Sequence, residues 1–540
     1  MILEICIEAL MRSLITMLVL LISALSTQAQ WTVQLKPRTI TGMPGLQSFA
    51  AAEFSGRWLF IGGRIDGLHQ RQPPRSFLAS ENNTHIWLVD QVRGSVKSVS
   101  VSSLPVDLAD QLSSTNVEFE HIGTRLYLIG GYGFSRSAGD HATFNAMIIV
   151  DLPKLIQEID KGALTEAPFK RVVDDRLAVT GGGLGVLGDE LVLAGGQRFD
   201  GRYNPMNGPS FTQKYTDEVR FFRFDTTGPT ARITDYRTFT NAVELHRRDY
   251  NFVPIVRRDG TYGYTMFSGV FQIPDDSPYL TLVDIDDSGY VVRDGARQYL
   301  SHYHSAVLPM IDSAEGAMHT VFFGGMSQYD IDGTGTLTRN DSVPFRRTIS
   351  RMSQHADGTT RETKLTVSMP DLLGAGAEFM MDPSVPTTAH GVVLLHQMVG
   401  DTLKMGSIVG GIRSSAPNIF WVNDGTQSTA NATIYDVSLI RTPTNIEDDI
   451  VVNSRSVLSA RILSQTPTHI TVAFALADRT DIYAIIHTIG GEILAEYRRG
   501  PFDTGKYDLR LDVQNIASQP LYISIHAAGE VVTLPVGHLR

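Results

Sequence analysis

The chain has 540 residues, which is too long for one compact core, so we expect two or three domains. Hydrophobic residues make up 42% and charged residues 19%, the balance of neither a disordered chain nor a membrane protein. The net charge of −11, without dense Lys/Arg patches, excludes a nucleic-acid-binding surface.

Residues 1–29 have the pattern of a secretory signal peptide. Arg12 lies in a basic n-region, an apolar run follows from Leu14 to Leu25, and a stretch of small residues before the cleavage site ends at Ala29. The apolar run is shorter than the ~20 residues that span a bilayer, so a membrane anchor is the weaker interpretation. We therefore expect no membrane span in the mature chain, which would be secreted or held at the outer-membrane surface. The single cysteine, Cys6, lies in this segment, which excludes thiol and cysteine–zinc chemistry from the mature chain.

One unit recurs six times in the next 400 or so residues: a turn glycine, an apolar strand, a glycine pair, a polar loop and a closing strand. The turn glycines are at 56, 123, 188, 260, 316 and 400, and the pairs begin at 62, 130, 195, 268, 324 and 410, where Ser268 replaces the first glycine. The closing strands are predicted at 86–90, 147–151, 219–225, 280–284, 348–352 and 419–422. The distance from turn to pair changes little while the loops vary in length, as in a repeat whose strands are fixed by packing.

A glycine pair after an apolar strand permits positive φ and a close approach of two backbones. Its recurrence resembles the kelch motif, in which a diglycine ends the second strand of a β-propeller blade. The resemblance implies an all-β fold with a six-bladed kelch-like β-propeller at residues 30–441. Closure of the ring would pair the end segments Trp31–Leu35 and Ile434–Ile440. A stack of β-sandwiches is the alternative arrangement for so many short strands.

Three groups of residues within the repeats are candidates for a site. The segment from Asp330 to Asp341 has the oxygen spacing of a calcium loop, with Asp330, Asp332, Thr334, Thr336 and Asp341 as candidate ligands. A simple polar turn is the alternative. His302 and His304 would share one face of a strand, where they could bind a metal or be held by hydrogen bonds. The run His246–Tyr250 contains two arginines and an aspartate, which would either face a ligand or hold adjacent blades together.

After a polar connector at 442–454, the last segment, 455–540, predicts a small immunoglobulin-like β-sandwich. Its candidate strands are 470–474, 482–486, 493–497, 507–511, 521–525 and 531–534. The order of elements around Gly490-Gly491 and Leu521–Ile525, with a basic end at Arg540, resembles the C-terminal sorting domain of the type IX secretion pathway of Bacteroidota. The resemblance implies the type IX machinery as a partner. An adhesive domain is the alternative, and in either case we expect few contacts with the preceding domain.

No catalytic motif is found: serine-hydrolase elbow, zinc-protease helix, P-loop and sialidase boxes are all missing from the sequence. We therefore expect a secreted or cell-surface binding or scaffold protein rather than an enzyme. Long loops at 64–85, 132–146 and 197–218 would form its recognition face for a protein or glycan ligand, with no cofactor unless calcium binds. The alternative is a secreted carbohydrate-active hydrolase or lyase that uses the same face, since its scattered carboxylates would leave no local motif.

Overall fold

The computed structural model describes residues 30–206, 210–228, 231–273, 276–293, 295–313, 315–442, 449–452, 458–488, 491–514, 516 and 520–536. The predicted signal peptide, with Cys6, lies outside the described residues, as does part of the predicted connector. Strands dominate the described part of the chain, which confirms the all-β prediction. Among these residues no helix has the length and apolarity needed to cross a membrane.

Most strands of residues 30–442 belong to six larger, mainly antiparallel sheets, named I to VI in chain order. The chain begins with β1 (Gln30–Arg38), which belongs to sheet VI. Sheet I contains β2 (Ala50–Phe54), β3 (Arg57–Ile61), β4 (His85–Asp90) and β5 (Ser95–Ser100). Sheet II contains β6 (Thr115–Ile122), β7 (Arg125–Ser135), β9 (Ala146–Asp151) and β10 (Phe169–Val173), and β8 (Asp140–Thr143) pairs with β7.

Sheets III and IV repeat the four-stranded pattern. Sheet III contains β11 (Gly183–Leu187), β12 (Glu190–Ala194), β15 (Glu218–Asp225) and β16 (Arg232–Thr240), and its long loop forms the hairpin β13 (Gln197–Gly201) and β14 (Phe211–Tyr215). Sheet IV contains β17 (Asn251–Val256), β18 (Tyr262–Phe267), β19 (Leu282–Asp286) and β20 (Gly289–Val292).

Sheets V and VI carry additional short strands. Sheet V contains β21 (Val307–Asp312), β22 (Ala317–Phe323), β25 (Thr348–Gln354) and β26 (Thr360–Ser368), with β29 (Val393–Leu394) and β34 (Ile450–Val451) at its edges. Sheet VI contains β28 (Ala377–Met381), β30 (Thr402–Gly410), β33 (Ile434–Thr442) and β1. Small sheets in the loops are formed by β23 (Tyr329–Ile331) with β24 (Leu337–Arg339), and by β27 (Leu372–Leu373), β31 (Ile412–Ser414) and β32 (Ser428–Ala430).

The α-helices of the described residues lie between sheets I and II. They are α1 (Val106–Leu112) and α2 (Leu152–Lys161), and short 3-10 turns lie at Ala79–Glu81, Val101–Ser103, Asp175–Leu177 and Leu395–Gln397. The side chain of Asp151 accepts a hydrogen bond from Lys154 N at the start of α2, and Gly162 ends the helix with φ +71°. Leu155, Ile156 and Ile159 then pack into the core between the two sheets.

Each of the six sheets packs against the next through a buried apolar cluster, and sheet VI packs against sheet I. In this last cluster, Val409 and Ile434 of sheet VI contact Trp58 and Phe60 of sheet I. The packing therefore forms a closed cycle.

The two ends of residues 30–442 meet in sheet VI, which confirms the predicted pairing of the end segments. β1 runs antiparallel to β33, with Trp31 opposite Arg441 and Leu35 opposite Val437. The N-terminal strand thus completes a sheet whose other strands come from residues 377–442.

The glycine pairs occupy equivalent positions, as predicted. In every pair the second glycine donates its N–H to a carbonyl just before the first strand of the next sheet, at distances of 2.8–3.2 Å. The six bonds are Gly63 to Ser114, Gly131 to Val179, Gly196 to Arg247, Gly269 to His302, Gly325 to Leu373 and Gly411 to Leu46. The motif therefore joins neighbouring sheets, and Ser268 accepts the left-handed conformation, φ +57°, that glycine has in the other pairs.

The predicted closing strand of the sixth unit is wrong. Residues 419–422 form a turn in which Trp421 is 59% and Val422 66% exposed, and the third strand of sheet VI is β33. The place of this apolar stretch after a glycine pair favours a strand, but the structure has none there. Most of its side chains instead lie at the surface of a loop.

Two further sheets follow. One contains β35 (Leu458–Gln465), β36 (His469–Leu476) and β39 (Gly505–Asp512), and the other β37 (Thr480–Thr488), β38 (Ile493–Phe502), β40 (Leu521–Ala527) and β41 (Glu530–Val536). The six predicted strands of this segment are all present, and β35 adds a seventh. A separate apolar core joins the two sheets, and we call this unit the C-terminal sandwich (residues 458–536).

Specific contacts join the C-terminal sandwich to the preceding sheets, where we expected few. Val243 beside sheet IV forms a buried cluster with Tyr483, Ile485 and Val531 of the sandwich. Within the predicted connector, β34 pairs with the edge of sheet V, with Val451 opposite Thr363.

Candidate functional site

A closed ring of six backbone hydrogen bonds joins the starts of the innermost strands of sheets I to VI. We call its members the inner ring: Ser48, Asn116, Gly181, Asp249, His304 and Gly376. Each N–H donates to the carbonyl of the preceding member, and Ser48 N donates to Gly376 O, with distances of 2.6–3.3 Å. The glycine pairs end the neighbouring strands on this same side, so the long loops that follow them surround the inner ring.

The side chains of the inner ring reach across to one another. Asn116 Nδ2 donates to Asp249 Oδ1 at 3.2 Å, which links sheets II and IV past Gly181. A Cβ on Gly181 would lie 2.8 Å from Asp249 Oδ1, so glycine provides the space for this contact. Asn116 and Asp249 have φ of +50° and +54°, a strained conformation that is held by the ring bonds on both sides.

Ionisable groups concentrate around the inner ring. His304 Nε2 and Glu378 Oε1 lie 2.9 Å apart. Burial on its own would lower the pKa of His304, but the nearby Glu378, Asp249 and Glu118 carboxylates raise it above its usual range. Burial raises the pKa of Asp249, although Arg248 and His304 oppose this shift. Burial also raises the pKa of Glu118 to about 8, and its carboxylate accepts a hydrogen bond from Gly182 N.

A pocket of about 380 Å³ opens beside the inner ring, and we call it the loop-face pocket. The loop of sheet III and the segments flanking the first strand pair of sheet IV form its walls. Its principal lining residues are Tyr203, Phe211, Tyr215, Arg248, Phe271 and Gln272.

Aromatic rings fix the shape of the loop-face pocket. The Arg248 guanidinium lies 4.3 Å from the centre of the Phe271 ring. The Tyr215 ring stacks on His246 at 3.9 Å, and His246 Nδ1 lies 2.7 Å from Asp217 Oδ1. The arrangement presents flat apolar surfaces beside a cation and side-chain amides, which suits a ligand with both apolar faces and polar edges.

The run His246–Tyr250 divides into two roles. Arg247 is fully buried and donates to Glu244 O, Ser268 O and Thr281 O, and it also binds the Glu244 carboxylate. Arg248 lines the loop-face pocket instead. The Arg247 side chain therefore joins three segments of sheet IV rather than two adjacent sheets, and a ligand-facing role for Arg248 stays a prediction.

A second cavity, of about 420 Å³, lies among the innermost strands of sheets I, II and VI. Glu53, His121, Glu378 and Asp382 line it together with Phe379. Glu378 thus connects the inner ring to this cavity through its contact with His304.

The calcium-loop residues form a hairpin whose carboxylates have other partners. Asp332 Oδ1 accepts from Thr334 N and Thr336 N, the pattern of a side-chain-capped turn that Thr334 Oγ1 also joins. Asp330 binds Lys364 Nζ at 2.9 Å, and Asp341 binds Arg339. Within the described ranges, no group of three or more His, Cys, Asp or Glu side chains is placed to hold a metal ion. Calcium here stays a prediction, and the contacts account for the loop without an ion.

The predicted pair of histidines is separated. His302 is buried, with Nε2 beside Gln298 O and Nδ1 accepting from Gln328 N, and burial lowers its pKa to about 3. His304 faces Glu378 on the inner ring. They do not lie on a strand, so the expected alternation does not apply.

Comparisons with known proteins give little further information. No family model matches the chain, and no curated protein matches it. A solved structure described as "Structure of YjhT" aligns with a TM-score of 0.42 at 12% sequence identity, over 76% of this chain and 99% of that one.

Proposed function

We propose that residues 30–442 form a six-bladed kelch-like β-propeller. The C-terminal sandwich is a separate unit that follows it. Two closed cycles of hydrogen bonds support the proposal, one through the glycine pairs and one through the inner ring. Both pass once through each of the six sheets, which share a four-stranded core, and a strand from the N-terminus completes the last sheet. A propeller accounts for all three features, whereas a stack of sandwiches has no reason to close on itself.

We propose further that the protein is a binding protein and that the loop-face pocket is its recognition site, with a glycan as the ligand. The observation that carries this proposal is the Arg248–Phe271 contact beside Tyr203 and Tyr215 in an open pocket. Aromatic faces can cover the apolar face of a sugar ring, while Arg248 and Gln213 offer donors to its hydroxyl groups.

Export is the remaining part of the proposed function. The signal-peptide pattern of residues 1–29 and the resemblance of the C-terminal segment to a type IX sorting domain support a secreted or surface location. The test is to fuse residues 449–540 to a reporter with its own signal peptide in a type IX-competent bacterium. Surface delivery of the reporter is expected, and its retention in the periplasm would contradict the sorting role.

The binding proposal is tested by a glycan array with the full mature chain. We expect binding to at least one glycan and about a tenfold or greater loss of affinity in Arg248→Ala, because a central cation in a pocket is often an energetic anchor. Arg232→Ala is the matched control, since Arg232 is 73% exposed on sheet III. If no glycan binds, or if the two variants lose the same affinity, the assignment of the loop-face pocket as a glycan-binding site is contradicted.

A secreted carbohydrate-active enzyme is the second candidate. The observation that favours it is the set of buried carboxyl groups near the inner ring, because a general acid needs a raised pKa and that of Glu118 is raised to about 8. Release of reducing sugar from any array glycan, abolished in Glu118→Gln, would select this function. Binding without turnover would select the first.

A further inference from the structure

The C-terminal sandwich packs on the outside of the segment that forms one wall of the loop-face pocket. Tyr483, Ile485 and Val531 project from the outer face of the sheet formed by β37, β38, β40 and β41, away from the core of the sandwich. They bury Val243, and Ile273 packs against the same cluster. Ile273 also lines the loop-face pocket.

The turn between β40 and β41 extends this contact with polar groups. Gly529 O accepts from Gln272 Nε2 at 3.1 Å, and Ala528 O accepts from Tyr329 OH at 3.3 Å. Glu530 is completely buried, and its Oε1 accepts from Tyr299 OH at 3.4 Å. Such a turn is a specific anchor, because buried polar groups must find defined partners.

The segment 271–273 therefore has the loop-face pocket on one side and the C-terminal sandwich on the other. Gln272 is buried, and its amide donates both to Gly529 O and to Pro278 O, which fixes the orientation of its side chain. The neighbouring Phe271 has φ +74°, an unfavourable conformation for a bulky residue that persists only where the surroundings impose it. The Phe271 ring also makes the cation–π contact with the Arg248 guanidinium.

We propose that the C-terminal sandwich positions the wall of the loop-face pocket, so that ligand binding depends on its docking. The inference rests on the proposed binding function for its ligand, but the coupling itself is a property of the chain alone. Phe271, Gln272 and Ile273 act as positioning residues that transmit the docked state to Arg248. Ligand binding and docking must then favour each other, because a coupling between two sites is reciprocal.

The test uses the full mature chain with Val531→Lys, which places a charge in the docking contact while the core of the sandwich is unaltered. Tyr483→Ala is a second, milder variant of the same contact. Leu463→Lys is the matched control, because Leu463 is 46% exposed on the other sheet of the sandwich. Amide hydrogen exchange is followed at 270–273, at 449–452 and at 470–474.

We expect both docking variants to exchange about tenfold faster at 270–273 than the wild type and the control, with 470–474 still protected. Unchanged exchange at 270–273 in both docking variants would overturn the coupling.

The affinity for a glycan found on the array supplies a second measurement, expected to fall at least about fivefold in Val531→Lys and not in Leu463→Lys. If the array gives no glycan, the binding proposal fails while the exchange experiment still decides the coupling. Equal affinity in the two variants would overturn the dependence of binding on docking.

Discussion

Glu118 has almost no contact with solvent, although its residue type is among those most often exposed in proteins. It is 3% exposed, beneath the inner ring, and Gly182 N donates to it. Burial penalises the ionised carboxylate, so the folded chain keeps the proton up to a pKa of about 8. The ordinary value, 4.5, applies in the unfolded chain.

Glu118→Gln tests the energetic consequence of this burial. Between about pH 5 and pH 8 the unfolded wild type has lost a proton that the folded state retains, so stability falls as pH rises, by up to about 1.4 kcal/mol per pH unit. The variant cannot ionise and should lose this component of the pH dependence, which urea unfolding at several pH values measures. Glu166→Gln, at an exposed carboxylate, should keep the wild-type slope. Identical slopes in wild type and Glu118→Gln would contradict the assigned pKa.

Single residues of the candidate site were only partly predictable. The sequence drew attention to His246–Tyr250 but could not separate Arg247 from Arg248, because consecutive residues of one type differ only in where the backbone directs them. Asn116 and Asp249 gave no signal, since the left-handed conformation they adopt is usually marked by glycine. Gly181 is such a glycine, in the run Thr180–Gly183, but this run is not part of the recurring unit of turn glycine, strand and glycine pair.

At the scale of elements, the glycine pair is a joint between neighbouring sheets and not only the end of a strand. The pair recurs in the sequence because each unit needs positive φ and a close approach to the next sheet's backbone at this position. A Cβ on Gly130 would lie 1.9 Å from Val179 O of the next sheet's leading segment. Five of the six turn glycines have no such constraint: a Cβ on Gly188, for example, would meet nothing within 4 Å.

Gly130→Ala and Gly188→Ala therefore separate conformational strain from steric conflict. Both residues have positive φ, +66° and +62°, so alanine costs about 1 kcal/mol at either position. Gly130→Ala must in addition displace a backbone carbonyl, and we expect its free energy of unfolding to fall by about 3 kcal/mol or more. Chemical denaturation of the two variants checks the difference. Equal losses would show that the pair is required for its φ alone.

The sixth unit shows where element prediction failed. Apolar residues at 419–422 follow a glycine pair and a polar loop, yet they form a turn whose Trp421 ring lies 4.1 Å from the guanidinium of Arg71, in another loop. The third strand of sheet VI is β33, which the sequence marks only as the segment that pairs with the N-terminal strand to close the ring. Spacing from a motif identifies a strand less well than alternation of apolar residues along it.

At the scale of the whole molecule, docking of the C-terminal sandwich was missed although a signal was present. A strand with one buried face alternates apolar and polar residues, whereas Ile482–Ile486 is a continuous apolar run. Strands of this kind are covered on both faces. Here the second face packs on the preceding sheets.

Closure of the cycle by β1 leads to a prediction about the entire chain. Val33 is 2% exposed in the core between sheets V and VI and pairs with Leu439, whereas Gln34, the next residue, is exposed. A charge at Val33 must either enter that core or detach the strand, and detachment leaves an open edge on sheet VI. We expect Val33→Asp to lower the free energy of unfolding by about 3 kcal/mol or more, and Gln34→Asp to leave it within about 0.5 kcal/mol.

Urea unfolding followed by circular dichroism, with limited proteolysis of the folded variants, supplies the measurement for β1. Because the six sheets support one another in a cycle, loss of one closing strand should weaken the whole set and not only sheet VI. The unfolding midpoint of Val33→Asp should therefore shift as one transition, with new protease cleavage near residue 40. A midpoint equal to that of Gln34→Asp, with only the first residues cleaved, would show that the other sheets hold together without β1.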